Sequence, residues 1–115
     1  MSSKKLEKRV GELEHKIEDL LRLVDMEKAP FSYLVLESNL TSNQVDEICD
    51  LMDDFRNYIR AGHKIKHPDF EEELYKIVPS KQGDYHFAQD VVGSLNDEGR
   101  YTDVYKALKK SGMDI

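Results

Sequence analysis

The sequence predicts an all-α protein in which an N-terminal coiled-coil helix precedes a small multi-helix bundle. Three observations lead to this class. The first segment repeats its apolar residues in steps of four and three, the later apolar runs have helical spacing, and Gly or Pro separates those runs. We place the coiled-coil helix in residues 1–28 and the helical body in residues 29–115, and we expect the protein to be oligomeric.

The N-terminal segment carries a heptad repeat. Leu fills every d position and a β-branched residue fills every a position, which favours a parallel two-stranded coiled coil. The predicted oligomer interface consists of Leu6, Val10, Leu13, Ile17, Leu20 and Val24. In a parallel dimer Arg9 faces the partner's Glu14, whereas an antiparallel dimer would bring like charges together. Leu21 and Leu23 widen the apolar stripe, which leaves open a trimer, or a helix that packs on its own body.

Proline and capping residues predict where the first helices of the body begin and end. Pro30 closes the heptad segment and opens a short helix that Asn39 ends, although this run also suits a short buried strand. Thr41 and Gln44 have the spacing of a capping box, which starts a long helix that Gly62 stops. The neighbouring signals are helical, so we favour the helix for the first run as well.

Three more helices follow in the second half of the chain. Pro68 opens the first of them and Pro79 ends it, while Asp84 caps the next. Thr102 is the predicted cap of the last helix, which Gly112 stops. The connection between the last two helices is short, so they are predicted to form an αα-hairpin.

Composition limits the classes of function. The net charge of −6 argues against direct binding of nucleic acid, because such affinity comes mainly from Lys and Arg that neutralise phosphates. No apolar run approaches the ~18 residues of a membrane-spanning helix, so we expect no membrane contact and a cytoplasmic location. Cys49 is the only cysteine, which rules out a disulfide framework within the chain and fits a reducing compartment.

Acidic residues crowd one side of the predicted long helix. They are Asp46, Glu47, Asp50, Asp53 and Asp54. A dense acidic arc of this kind is usually a solvated helix face, and the functional alternative is a surface for a basic protein partner. Paired carboxylates also serve cation binding and acid–base chemistry, but an arc this broad does not point to one site.

Two histidines and a carboxylate have a spacing that deserves a test for metal binding. His63, His67 and Glu71 are four residues apart, and on a continuous helix they would share a face suited to zinc. Pro68 is expected to interrupt that helix, so we interpret both histidines as solvated loop residues. The chain has no phosphate-binding loop and no dinucleotide fingerprint, and we assign no catalytic residue, no cofactor and no metal.

One set of hydrophobic anchors and helix caps runs through nearly the whole chain. It comprises Val24-Asp25-Met26, Pro30-Phe31, Leu34, Leu40, Ile48-Cys49-Asp50, Leu95, Glu98-Gly99, Tyr101 and Val104. In this order the motifs resemble the YhaI-like family, small uncharacterised helical proteins of Bacillus and related bacteria. The resemblance implies an all-helical, cytosolic, oligomeric protein of a bacterium or phage, and it supplies no catalytic residue.

We therefore predict a non-catalytic protein that acts by self-association and by interaction with an unidentified protein partner. One alternative is an acidic regulator that binds a nucleic-acid-binding protein by imitating phosphate charge. The second alternative is a metal-dependent enzyme that uses His63 and His67.

Overall fold

Five α-helices and one short 3-10 helix make up residues 28–115, the part of the chain that this computed structural model describes. They are α1 (Pro30–Glu37), α2 (Ser42–Arg60), α3 (His67–Ile77), the 3-10 helix (Pro79–Lys81), α4 (Tyr85–Asp97) and α5 (Thr102–Lys110). The described part contains no strand, so it is all-α, and the run after Pro30 is a helix. The predicted coiled coil and its interface lie outside the described residues.

The core is assembled from one apolar face of each helix. Helix α1 packs on α4, α2 packs on both α3 and α5, and α4 and α5 pack on each other as a hairpin. The rings of Phe55 and Phe70 meet edge to face with centroids 5.3 Å apart, which joins α2 to α3. The largest fully buried side chains are Phe70, Ile48, Met52, Leu74, Leu95, Leu108, Val78, Val91, Val92 and Val104.

The predicted caps of the two longest helices form as expected. The Gln44 amide N–H donates to the Thr41 hydroxyl at 3.1 Å, and the Thr41 amide N–H donates to Gln44 Oε1 at 3.0 Å. Gln44 Nε2 also donates to the Ile77 carbonyl at 3.2 Å, which ties the start of α2 to the end of α3. Asp84 accepts from the Phe87 amide N–H at 3.3 Å and so caps α4.

Left-handed residues end the helices where the sequence predicts. Asn39 has φ 54° after α1, and Gly62 has φ 87° after α2. Gly112 follows α5 with φ 113°, and a Cβ atom added there would lie 3.5 Å from His67 Nε2. Glycine is therefore favoured at 112 by its backbone conformation, a region that other residues rarely adopt.

The prediction that Thr102 caps the last helix is wrong. Thr102 is the first residue of α5, and the N-cap is Tyr101, whose φ of 56° is left-handed and whose side chain makes no cap hydrogen bond. Asp103 Oδ1 accepts instead from the Val104 amide N–H at 3.0 Å. The tertiary contacts of Tyr101 described below account for its uncommon backbone conformation.

Helix α3 begins one residue earlier than Pro68 predicts. The extended backbone of Lys66 forms the N-cap, so His67 is the first helical residue, and proline is well tolerated in this first turn. The His67 amide N–H donates to the Ser111 hydroxyl at 3.2 Å, which joins the start of α3 to the end of α5. None of the helices described here has the length and apolar character needed to cross a bilayer.

Candidate functional site

The predicted acidic face lies on the exposed side of α2. Its members Asp46, Glu47, Asp50, Asp53 and Asp54 are all exposed. None of them forms an ion pair with another residue of the described range. Asp53 accepts a hydrogen bond from the Tyr101 hydroxyl at 2.9 Å. The face is therefore a solvated band of negative charge that is anchored to the rest of the fold beside Asp53.

Beside Asp53 the acidic face adjoins a contact region between three parts of the fold, which we call the junction. The junction consists of Phe31, Cys49, Asp53, Arg56, Glu98, Arg100 and Tyr101. These residues bring α1 and α2 against the connection between α4 and α5. Several motifs that carry the family resemblance are distant in the sequence and meet here, namely Pro30-Phe31, Ile48-Cys49-Asp50, Glu98-Gly99 and Tyr101.

At the junction a side chain from a distant part of the chain caps α1. The N-cap residue Ala29 offers no side-chain acceptor, and Glu98 Oε2 accepts from the Phe31 amide N–H at 2.8 Å across 67 positions of sequence. A carboxylate at a helix N-terminus is also favoured by the helix dipole. The Arg100 guanidinium lies 5.7 Å from the centroid of the Phe31 ring. The α4–α5 connection therefore holds the start of α1 through polar and aromatic contacts.

Tyr101 attaches the same connection to α2. Its hydroxyl donates to Asp53 Oδ1 at 2.9 Å and lies 3.4 Å from the Cys49 carbonyl oxygen, while the Arg56 guanidinium covers the ring at 4.2 Å from its centroid. Burial, together with the hydrogen bond and negative charge of Asp53, raises the pKa of Tyr101 to about 12. The hydroxyl is therefore protonated at neutral pH and acts as a donor.

Cys49 is half-buried at the junction, and its environment does not activate the thiol. Arg100 Nη2 lies 3.9 Å from the sulfur. Burial raises the pKa of the Cys49 thiol, and this effect outweighs the lowering effect of the Arg100 charge. Nucleophilic cysteines need the thiolate at working pH. The chemistry of the junction is thus that of a structural contact, in which neutral donors and charged side chains hold helices together.

An acid–base cluster extends the junction towards α5. Asp103 Oδ1 lies 3.6 Å from Arg56 Nε, and Asp103 Oδ2 lies 3.9 Å from Arg60 Nε. Sequence reasoning missed these contacts because the partners are more than forty positions apart in the chain. One local signal points to a missing partner for α1: a predicted helix that starts after Ala29 lacks a capping side chain of its own.

The predicted zinc ligands are divided between two local contacts. His67 Nδ1 lies 3.2 Å from Glu71 Oε1 within α3. The His63 ring lies instead against Tyr58, with centroids 5.7 Å apart. No group of three or more His, Cys, Asp or Glu side chains between residues 28 and 115 is arranged to hold a metal ion. The described geometry gives the metal-dependent alternative no support.

A family model described as a protein of unknown function, DUF1878, matches residues 3–111. The matched range includes both the heptad segment and the helical body. No curated protein and no solved structure matches the chain. The match agrees with the resemblance to a family of uncharacterised small proteins.

Proposed function

The chain belongs to DUF1878, a protein family of unknown function, and we propose that it acts without catalysis, by associating with copies of itself and binding a protein partner. The proposed interface is the heptad seam of residues 6–24, and a parallel dimer is the favoured arrangement. The seam has β-branched a residues and Leu d residues throughout, which is the pattern expected of two strands. The YhaI-like relationship and a bacterial cytoplasmic setting belong to the same proposal, since they follow from the resemblance.

The observation that carries the proposal is the cap that Glu98 places on α1. The heptad segment ends at Val24, and α1 begins at Pro30, only a few residues later. Glu98 accepts from the Phe31 amide N–H at 2.8 Å, and the side chains of Phe31 and Leu34 are buried in the core. The seam is therefore followed closely by a helix fixed to the body, and a long flexible linker does not separate the two.

A short connection to a fixed helix gives self-association a consequence for binding. Two bodies joined in this way would carry two acidic faces at a restricted separation. When a partner engages one face, its second contact becomes intramolecular, and avidity can exceed the single-site affinity by roughly 10²–10⁴-fold. We propose that this positional effect is the contribution of the N-terminal segment.

Sedimentation of the full chain tests the assembly step. We expect the wild-type protein to sediment as a defined oligomer that persists on dilution, and the double variant Leu13→Asp/Leu20→Asp to sediment as a monomer. Two buried charges at d positions would be desolvated without partners, which strongly disfavours the seam. An unchanged mass for this variant would show that the seam is not the interface.

A matched control distinguishes loss of the seam from a general effect of added acid. His15 and Arg22 occupy outward f positions of the same heptads. The variant His15→Asp/Arg22→Asp should keep the wild-type mass, since its new carboxylates lie away from the seam. Dissociation of this control would attribute the effect to charge and count against the proposed interface.

The acidic regulator is the second candidate, and the exposure of the acidic face favours it. Residues Asp46, Asp50 and Asp54 are spaced at one helical turn, so their carboxylates form a row along α2 over about 12 Å. A row of unpaired exposed carboxylates is suited to a basic partner, with binding that weakens as salt rises.

An oligo-lysine peptide is a suitable probe for this candidate. Its binding should weaken in Asp46→Asn/Asp50→Asn/Asp54→Asn, a variant that leaves the bond between Asp53 and Tyr101 in place. The control Glu37→Gln/Asp90→Asn/Asp97→Asn removes the same charge from α1 and α4. Equal losses in the two variants would assign the binding to net charge and refute a dedicated face.

A further inference from the structure

A cavity of about 370 Å³ lies at the end of α2 opposite its capping box. The last turns of α2 and α5 and the connection that leads to α3 surround it. The apolar part of its lining comes from Ile59, Ile65 and Ala107, and the cationic or titratable part comes from His63, Lys64 and Lys110. Its volume falls within the roughly 300–1,000 Å³ of typical small-molecule sites.

The charge of this lining is opposite to the charge of the whole chain. The net charge is −6, yet no carboxylate lines the cavity. Lys64 and Lys110 are exposed, and neither forms an ion pair with another residue between 28 and 115. Two ammonium groups without a carboxylate partner in the described range make this an attractive place for an anion.

The acidic residue next to the cavity on α5 is already engaged elsewhere. Asp103 lies one turn before Ala107, and its two oxygens lie 3.6 Å and 3.9 Å from the Nε atoms of Arg56 and Arg60. Its negative charge is therefore offset by two guanidinium groups and does not neutralise the lysines.

The inner wall of the cavity is apolar. Ile59 and Ile65 are half-buried and pack against the core, while the small side chain of Ala107 leaves room between α5 and the connection. Apolar atoms placed against these three side chains would be removed from water, which is favourable in proportion to the area buried. An apolar wall beside cationic side chains is suited to a molecule with one apolar part and one anionic part.

We propose that this cavity binds a small amphiphilic carboxylate. Its apolar portion contacts Ile59, Ile65 and Ala107, and its carboxylate accepts charge-assisted hydrogen bonds from Lys64 and Lys110. The site is separate from the heptad seam and from the acidic face, so it adds a ligand to the proposed interaction function. Self-association and ligand binding can therefore succeed or fail independently.

Octanoate is the probe, and its binding to the full-length protein is followed by amide chemical shifts. We expect saturable shifts centred on Ile65, Ala107 and Lys110. A ligand of this size and number of contacts is expected to bind in the millimolar to high-micromolar range. Octan-1-ol has the same apolar chain without the charge and should bind about tenfold more weakly, and acetate should produce no saturable shifts at these residues.

Exposed lysines can be changed without disturbing the core, so the charge requirement is testable by substitution. Lys64→Gln/Lys110→Gln should weaken octanoate binding about five- to tenfold, while Lys106→Gln/Lys109→Gln, on α5 but outside the lining, should leave it within about twofold. Equal weakening in both variants would reduce the effect to net charge and overturn the site. Absence of saturable shifts at Ile65 and Ala107, or equal binding of octan-1-ol, would also overturn it.

Discussion

Replacement of Glu98 by alanine tests whether a distant carboxylate caps α1. In the wild-type protein Glu98 Oε2 accepts from the Phe31 amide N–H at 2.8 Å, and Ala29 supplies no side-chain cap. Loss of an N-cap acceptor costs about 1 kcal/mol, and loss of a carboxylate from the positive end of a helix costs about 0.3–1 kcal/mol more. We therefore expect Glu98→Ala to lower the free energy of unfolding by about 1–2 kcal/mol.

Two measurements together show where this loss occurs. Denaturant unfolding should report the global loss, and the midpoint of thermal unfolding should fall by roughly 4–10 °C for a chain of this size. Amide hydrogen exchange should accelerate in α1 at residues 31–34 more than in α2. Glu98→Gln retains an acceptor oxygen without the charge, so its loss should be intermediate.

The neighbouring residue provides the control for this experiment. Asp97 carries the same charge, is exposed, and differs from Glu98 in making no hydrogen bond to α1. Asp97→Ala should change stability by no more than about 0.5 kcal/mol, as is usual at the surface. The reasoning would be refuted if the two alanine variants lost the same stability, or if exchange in α1 stayed at its wild-type rate in Glu98→Ala.

Three other changes test contacts elsewhere in the fold. Gln44→Glu keeps the capping acceptor but removes the donor to the Ile77 carbonyl, so chemical denaturation should show a loss of about 1 kcal/mol, and an unchanged midpoint would contradict that tie. The raised pKa of Tyr101 means that its stabilising effect is complete below its ordinary pKa of 10.0 and is lost as pH rises through about 12. Spectrophotometric titration should accordingly lose a phenol that ionises near pH 12 in Tyr101→Phe, and a lost phenol that ionises near pH 10 would disprove the burial argument. Gly112→Ala should destabilise the fold by about 1–3 kcal/mol because of its positive φ, whereas Gly93→Ala, in mid-helix with open space for a Cβ, should be neutral or stabilising in thermal unfolding.

Local signals made the helices of the body predictable from the sequence. The capping box of Thr41 and Gln44, the Asp84 cap and the left-handed Asn39 each depend on residues only a few positions apart. Helical spacing also identified most of the buried face of each helix, although it missed Leu51 on α2. The acidic face was predictable for the same reason, since five carboxylates on one helix share a side whatever the rest of the fold does.

The junction was not predictable, because its contacts depend on how helices are placed relative to one another. The bond from Phe31 to Glu98 spans 67 positions, and the bond from Tyr101 to Asp53 spans 48. The error at Thr102 has the same origin, since a preference for Thr as an N-cap assumes that the cap is chosen locally. Here the contacts of Tyr101 with Asp53 and Arg56 place the cap one residue earlier, in a left-handed conformation.

The distant cap also explains why α1 belongs to the body although it is short and lacks a cap of its own. An eight-residue helix is marginal in isolation, because nucleation is costly and few hydrogen bonds follow. Burial of Phe31 and Leu34 against α4 supplies the apolar stabilisation, and Glu98 supplies the missing acceptor. Helix α1 is thus formed by the same contacts that position it. If the heptad segment associates as proposed, the orientation of each body would depend on Glu98 and on the burial of Phe31, which lie outside the seam itself.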